Sequence, residues 1–317
     1  MRTIVTGGAG FIGSTLVDRL LAEGDDVIVV DNFDPFYSRA DKQANLAVAL
    51  TNPRCRLVEM DIRDSGKVAH LVDTSRPDVI VHLAARAGVR PSIDDPGLYA
   101  DVNVLGTVHW LKAAAQLRPL PRFVFASSSS VYGDRSSVPF RETDPVDHPV
   151  SPYAATKKAC ELLAFTFHHL HGLPVTGLRI FTAYGPRNRP DLAMAKFTRL
   201  IDRGEPVPMF GDGSTRRDYT YVDDIVDGIV RSIQKCSSYR VYNLGNSNPI
   251  ELKTLIDEIA RSLGKTATVL RLPEQQGDVR QTFADISLAS SELDYSPRTP
   301  FLDGLARYIA WYRGKEA

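Results

Sequence analysis

The chain has 317 residues, 43% of them hydrophobic, with 38 basic side chains against 38 acidic. Its length exceeds what one hydrophobic core usually supports, so a large lobe, a smaller one packed on it and a cleft between them are expected. Balanced charge excludes the basic footprint that nucleic-acid binding needs. No apolar run reaches signal-peptide or membrane-span length, so the chain is expected to be cytoplasmic with no membrane partner. Cys55, Cys160 and Cys236 form no CxxC pair, and an odd count suits packing thiols in a reducing compartment rather than a disulfide framework.

Short β-branched runs at 3–6, 27–31, 56–60, 79–83, 123–127 and 175–180 alternate with longer helical patterns. These runs are too continuously apolar to be half-buried, which is the pattern of parallel strands covered by helices on both faces. A doubly wound parallel α/β sheet is the predicted fold. After Ile180 the pattern loosens into a Pro-, Arg- and Gly-rich stretch over 181–215, where the second lobe begins. Residues 222–232 and 242–244 read as a helix and a strand that return to the sheet. The lobes therefore interleave, with a dinucleotide domain over 1–180 plus about 216–246 and a smaller substrate domain over 181–215 and 247–317.

The first strand runs into Thr6-Gly7-Gly8-Ala9-Gly10-Phe11-Ile12-Gly13 at a helix start. Glycines there let the backbone approach a pyrophosphate, and free N–H groups and the helix dipole favour its charge. The second strand ends in Asp31, 18 residues beyond Gly13, where a carboxylate accepts hydrogen bonds from an adenosine ribose. A 2′-phosphate beside it would be repelled, and Asn32 rather than an arginine follows, so NAD is favoured over NADP. Asp61-Ile62 and Leu83-Ala84-Ala85 fall at later strand ends, where ligands lie in this architecture.

Tyr153 and Lys157 sit four residues apart at the start of a predicted helix and so share a face. A phenol titrates near pH ~10, and a neighbouring ammonium favours its ionised form, so the pair suits acid–base work. Ser127-Ser128-Ser129-Ser130 ends a central strand, an expensive place for hydroxyls unless they reach a ligand or cap N–H groups; one of them is expected to share a proton with Tyr153. His168, His169 and His171 close the helix that Tyr153 opens and read as dipole partners before Gly172, so no metal site is predicted.

The glycine-rich turn, Asp31, HLAA at 82–85, Asn103 within NVLGT, SSSSVYG at 127–133 and YAATK at 153–157 together resemble the extended short-chain dehydrogenase/reductases, the NAD-dependent nucleotide-sugar epimerases and dehydratases, over nearly the whole chain. The resemblance implies that Ser128 is the catalytic hydroxyl, Tyr153 the acid/base and Lys157 a ligand of the nicotinamide ribose. It also implies a cofactor site that includes Asn103, and a homodimer through helices near 98–116 and 152–170. Family members that dehydrate carry an Asp-Glu pair where this chain has Ser129-Ser130, and those that decarboxylate carry a glutamate at Ser130. Epimerisation remains: Tyr153 takes the sugar 4-hydroxyl proton, C4 loses hydride to NAD, and the 4-keto sugar turns over and recovers it.

Thr182 to Ala193 resembles the GPxxRPDMA segment of UDP-glucuronate 4-epimerases, and Ala87-Gly88-Val89-Arg90 their AGVR, which implies a UDP-sugar with a carboxylate. Arg90, Ser127, Ser128, Ser129, Thr182 and Arg189 are the candidate carboxylate and sugar ligands, with Arg187 beside them in the same segment. Arg217 and Arg280 resemble the family's pyrophosphate ligands, which guanidinium forks suit; Gln276 stands where an arginine is often found before the Gly-Asp at 277–278, so Arg280 is read as its replacement. Thr282 is small where glucose-specific relatives carry tyrosine. A UDP-glucose or UDP-N-acetylglucosamine 4-epimerase is the nearest alternative, and a non-catalytic NAD-sensing regulator the alternative from another class.

Overall fold

The computed structural model describes residues 1–273 and 279–316. Twelve strands are assigned in them: β1 (Arg2–Thr6), β2 (Asp26–Asp31), β3 (Cys55–Glu59), β4 (Val79–His82), β5 (Arg122–Ser128), β6 (Val175–Ile180), β7 (Thr182–Tyr184), β8 (Val207–Phe210), β9 (Arg216–Tyr221), β10 (Tyr239–Leu244), β11 (Pro249–Glu251) and β12 (Val269–Leu272). The helices between them are α1 (Phe11–Ala22), α2 (Arg39–Leu46), α3 (Ser65–Ser75), α4 (Val89–Asp94), α5 (Pro96–Tyr99), α6 (Gly106–Gln116), α7 (Pro152–His171), α8 (Ala193–Asp202), α9 (Val222–Lys235), α10 (Leu252–Leu263), α11 (Ser287–Leu293) and α12 (Phe301–Glu316).

Seven parallel strands form the main sheet in the order β10-β6-β5-β4-β1-β2-β3. The chain reverses its direction of travel between β1 and β4, and strand C-terminal ends at such a switch point open the crevice in which ligands bind. Leu16, Leu20, Val226 and Ile229 of α1 and α9 cover one face, while Val68, Trp110, Leu111 and Ala164 of α3, α6 and α7 cover the other. Burial on both faces explains why these strands are apolar without alternation. Each of the six strands predicted before 181 is present, with ends shifted by one residue at most, and the strand predicted at 242–244 begins three residues earlier, at Tyr239. All three cysteines are free thiols, Cys160 and Cys236 fully buried.

The small lobe is built from β11-β9-β7, from β12-β8 and from α8, α10 and α12. Its core joins Met194, Phe197 and Ile201 to Leu255, Ile259, Leu305 and Tyr308. Two boundaries differ from the expectation. β9 pairs with β7 and β11, so residues 216–221 belong to the small sheet and the return to the large one starts at Val222. α11 packs Ala289 and Leu293 against the α9 side of the main sheet, so the segment after 247 visits both lobes. Asp218, fully buried on β9, joins these crossings by accepting the backbone N–H groups of Asn246, Ser247 and Ala284 at 2.8, 3.0 and 3.0 Å.

Candidate active site

A cleft of about 490 Å³ runs along the C-terminal ends of the main-sheet strands. At one end the chain turns sharply after β1. Gly7 adopts φ +68°, and a Cβ there would lie 2.8 Å from the Ala84 nitrogen, while one on Gly13 would overlap the Gly7 carbonyl oxygen. No side chain caps α1, so its first-turn N–H groups face the cleft beside Gly10, Phe11 and Ile12. Asp31 closes this end: its two carboxylate oxygens accept the N–H groups of Ala9 (3.1 Å) and Phe33 (2.8 Å). Burial pushes its carboxyl up, against the pull of those donors and of Lys42.

Asn32 donates to Asp61 at 3.0 Å, and Arg63 grips the same carboxylate at 2.8 and 3.0 Å. The guanidinium holds the Asp61 carboxyl at about 2. Ile62, Leu83, Ala84 and Ala85 continue the wall. The turn, the uncapped helix and the buried carboxylate together fit an adenine dinucleotide.

In the middle of the cleft α7 presents its first turn. Ser151 caps it by accepting the Ala154 N–H at 3.2 Å, Pro152 occupies the first turn, where no intrahelical donor is lost, and Tyr153 and Lys157 follow. Lys157 donates to the Ala126 carbonyl at 2.7 Å, and its ammonium stands 6.0 Å from the Tyr153 ring centre. Tyr99 meets the Tyr153 ring edge-on at 6.3 Å. Ser128, 7% exposed, donates to Ser130 Oγ and accepts the Ser130 N–H, both at 3.2 Å. Among the described residues no hydrogen bond joins Tyr153 to the serine run; the expected shared proton is replaced by bonds within that run, although both groups line the same cleft.

Thr182, Ser129 and Arg189 form the far wall. Arg189 is held by Asp191 at 2.7 and 3.0 Å and lies 5.4 Å from the centre of the Phe36 ring. Other candidates sit elsewhere. Ser127 lines the cleft, yet its hydroxyl donates to Glu161 at 2.6 Å, away from any sugar ligand. Asn103, 1% exposed, lies in a π-helical stretch behind the wall, accepting the Arg86 N–H at 2.7 Å and donating to the Arg86 carbonyl at 3.0 Å; it braces the strand-end loop instead of lining the cofactor cleft. Arg90 covers the Phe210 ring at 4.8 Å, Arg217 donates to the Arg216 carbonyl at 2.9 Å, and exposed Arg280 pairs its carbonyl with the Arg216 N–H at 3.0 Å. These three gather around β8 and β9, outside the cleft lining. Arg187 bonds Asp18 of α1 at 2.7 Å, and Thr282 is buried with its hydroxyl accepting the Asp218 N–H at 3.1 Å. Gln276 and the Gly-Asp at 277–278 lie outside the described residues. His168 Nδ1 meets the Leu173 carbonyl oxygen at 2.8 Å at the end of α7, as a helix-closing residue should.

The family described as GDP-mannose 4,6 dehydratase matches residues 4–308. The chain belongs to this family of NAD-dependent epimerases and dehydratases. Within the family, a probable UDP-glucuronate 4-epimerase of Rhizobium meliloti (strain 1021) is 36% identical over 331 residues, covering 98% of this chain and 97% of its own length. The structure of UDP-glucuronic acid 4-epimerase from Bacillus cereus in complex with UDP-glucuronic acid and NAD has a TM-score of 0.94 at 34% identity, covering 99% of this chain and 100% of that one. DesIV, the dTDP-glucose 4,6-dehydratase of Streptomyces venezuelae with NAD and TYD bound, reaches 0.93 at 34% identity over 100% of this chain and 98% of its own. Epimerases and dehydratases of this family thus share one scaffold, and side chains in the cleft must separate their reactions.

For this family member, sequence reading missed the segment after Asp31. Asp34 pairs with Arg86, whose guanidinium lies 5.1 Å from the Phe36 ring centre. Lys42 donates to the Asp34 carbonyl at 2.7 Å and covers the Tyr37 ring at 4.6 Å. Tyr37 lines the cleft beside Gly10, and its hydroxyl is shut off from solvent with no hydrogen-bond partner among the described residues. The signal was present as Phe33, Phe36 and Tyr37 in a loop with no predicted core to fill.

Proposed function

We propose that this chain is an NAD-dependent epimerase that inverts C4 of a UDP-hexuronic acid, converting UDP-glucuronate to UDP-galacturonate through a transient 4-keto sugar. The observation that carries the reading is a single cleft in which Tyr153, Lys157 and Ser128 stand between the glycine-rich turn and the Thr182–Arg189 wall. Support comes from relatives named as UDP-glucuronate 4-epimerases and from the B. cereus structure with UDP-glucuronic acid and NAD bound.

Gly7, the 10–13 turn, Asp31, Asn32, Asp61, Ile62 and 83–85 would hold NAD, with Tyr37 adding its unpaired hydroxyl as a donor near the turn. When bound, NAD supplies a two-electron acceptor that takes hydride from C4 and returns it. Tyr153 receives the proton of the 4-hydroxyl and gives it back after the ring has turned. Lys157, anchored on the Ala126 carbonyl, brings a positive charge close to the Tyr153 ring and would bond the nicotinamide ribose. Ser128 donates to the sugar oxygen as charge develops on it.

A glucuronate oxidised at C4 is a β-keto acid poised to lose carbon dioxide. Ser129, Thr182 and Arg189 would fix its carboxylate against the alignment needed for that loss, and the serines at 129 and 130 put no acid or base where elimination would need one. Arg90, Arg217 and Arg280 would meet the UDP diphosphate from the rim. Two buried thiols and one partly exposed suit the cytoplasm, and the active form is read as a homodimer through α6 and α7.

Proton NMR of the purified protein incubated with UDP-glucuronate, UDP-glucose and UDP-N-acetylglucosamine tests the assignment. UDP-glucuronate should give UDP-galacturonate with little pentose product. Predominant UDP-xylose, or turnover confined to the neutral sugars, would overturn it.

A further inference from the structure

On α7 three side chains recur every fourth residue on one face: Tyr153, Lys157 and Glu161. The second and third both bond β5. Lys157 donates to the Ala126 carbonyl at 2.7 Å, and Ser127 Oγ donates to Glu161 Oε1 at 2.6 Å. Glu161 is 2% exposed and also takes both arms of the Arg179 guanidinium, from β6, at 2.9 Å each. Arg179 is itself 3% exposed and donates onward to the Tyr132 hydroxyl at 3.0 Å. Tyr132 donates to Asn243 of β10 at 2.7 Å, and Asn243 reaches the Phe140 and Asp285 carbonyls at 2.9 and 3.0 Å.

This network lies under the serine run, and neither Glu161 nor Arg179 lines the cleft. A buried ion pair stabilises a fold no better than apolar residues of similar volume, because removing both charges from water offsets their attraction. What a bidentate, fully bonded pair does supply is direction. Among the described residues it reaches the serine run at two points, through Tyr132 at the end of the 129–132 turn and through Ser127, whose neighbour in the chain is Ser128.

We infer that Glu161, clamped by Arg179, is a positioning residue: through Ser127 it sets the depth of α7 against β5, and with it the offset between the Tyr153 phenol and the Ser128 hydroxyl. The inference rests on the proposed proton-handling roles of Tyr153 and Ser128. It also removes Ser127 from the substrate ligands and makes it the link between helix and strand. Misplacing reacting groups by about 1 Å costs on the order of a hundredfold in rate, so loss of one link should be visible in turnover with little effect on binding.

Ser127→Ala is the decisive variant because it leaves the Glu161–Arg179 pair intact and the fold secure. Wild type, Ser127→Ala and Ser127→Thr are compared for kcat, KM and retained NAD with UDP-glucuronate and UDP-glucose. Expected is a fall in kcat of about tenfold or more in Ser127→Ala on every sugar the wild type turns over, with KM and NAD content within twofold and most of the rate recovered in Ser127→Thr, which keeps the hydroxyl. An unchanged kcat overturns the inference, as does a rise in KM confined to the uronate, which would make Ser127 a carboxylate ligand. Wild-type protein inactive on all nucleotide sugars would instead fail the proposed function, and the inference with it.

Discussion

Tyr153 and Tyr37 are two phenols in one cleft, each near an ammonium: Lys157 lies 6.0 Å from the Tyr153 ring centre and Lys42 4.6 Å from that of Tyr37. Burial, with Asp31 adding to it, nevertheless pushes the Tyr37 phenol up. The first is placed to exchange a proton and the second to keep one and donate it. Tyr153→Phe should therefore lower kcat by about three orders of magnitude, in the range of a lost general acid–base group, while bound NAD, measured by absorbance after denaturation, stays at wild-type content. Full turnover in that variant would reject Tyr153 as the base. Tyr37→Phe should do the reverse. Its hydroxyl has no hydrogen-bond partner among the described residues, so removing it relieves a buried unsatisfied donor and leaves apo-protein stability unchanged or higher. Titration calorimetry should show NAD affinity weakened by about tenfold, the loss of one hydrogen bond to a charged group. Unchanged affinity would take Tyr37 out of the cofactor site.

Where elements meet, a few buried polar links set the spacing, and one of them makes stability depend on pH. His82 at the end of β4 bonds Thr6 of β1 at 2.8 Å and Thr107 of α6 at 3.2 Å. Burial, with the nearby Lys157 charge adding to it, pushes the imidazole down to about 3. The folded chain keeps His82 neutral at pH values where the unfolded chain, titrating near ~6.5, takes up a proton. Its contribution is therefore fully present above about pH 6.5 and is lost as pH falls from there toward 3, at up to roughly 1.4 kcal/mol per pH unit. Urea unfolding at pH 7, 6 and 5 should show this slope in the wild type. His82→Asn should be less stable at pH 7 but flatter over the same range. Parallel slopes in the two proteins would assign the acid sensitivity to other groups.

At the scale of the whole molecule, legibility in the sequence followed how local the determining contacts are. The six strands found early are continuous apolar runs, and Tyr153 and Lys157 are fixed by spacing on one helix, so a short window contains the information. The small sheets are strands of three to six residues that pair across long gaps, β7 with β9 and β8 with β12, and no window contains both partners. α8 was missed within a Pro- and Arg-rich stretch, although Met194, Phe197 and Ile201 already stand at helical spacing. Residue type and motif point Ser127 and Asn103 at a ligand because they carry no sign of the Glu161 and Arg86 groups that those side chains bond in the fold.

The surface that a second copy would cover is legible in the same way, as apolar residues that the monomer fails to bury. On α7, Leu162 is 56% exposed and Phe165 49%, three residues apart on one helix face, and Leu105, just before α6, is 44% exposed. Each of these half-exposed side chains forgoes about half of the roughly 1.5–3 kcal/mol that full burial gives, and an isologous contact would bury every one of them twice. Sedimentation equilibrium should give twice the 35.0 kDa chain mass. Leu162→Glu combined with Phe165→Glu should give monomer, because four carboxylates would then face each other across the two-fold axis. The monomer should still bind NAD, since neither Leu162 nor Phe165 lines the cleft. A wild-type protein that sediments as monomer at all concentrations would leave these exposed residues without a partner and reject the dimer.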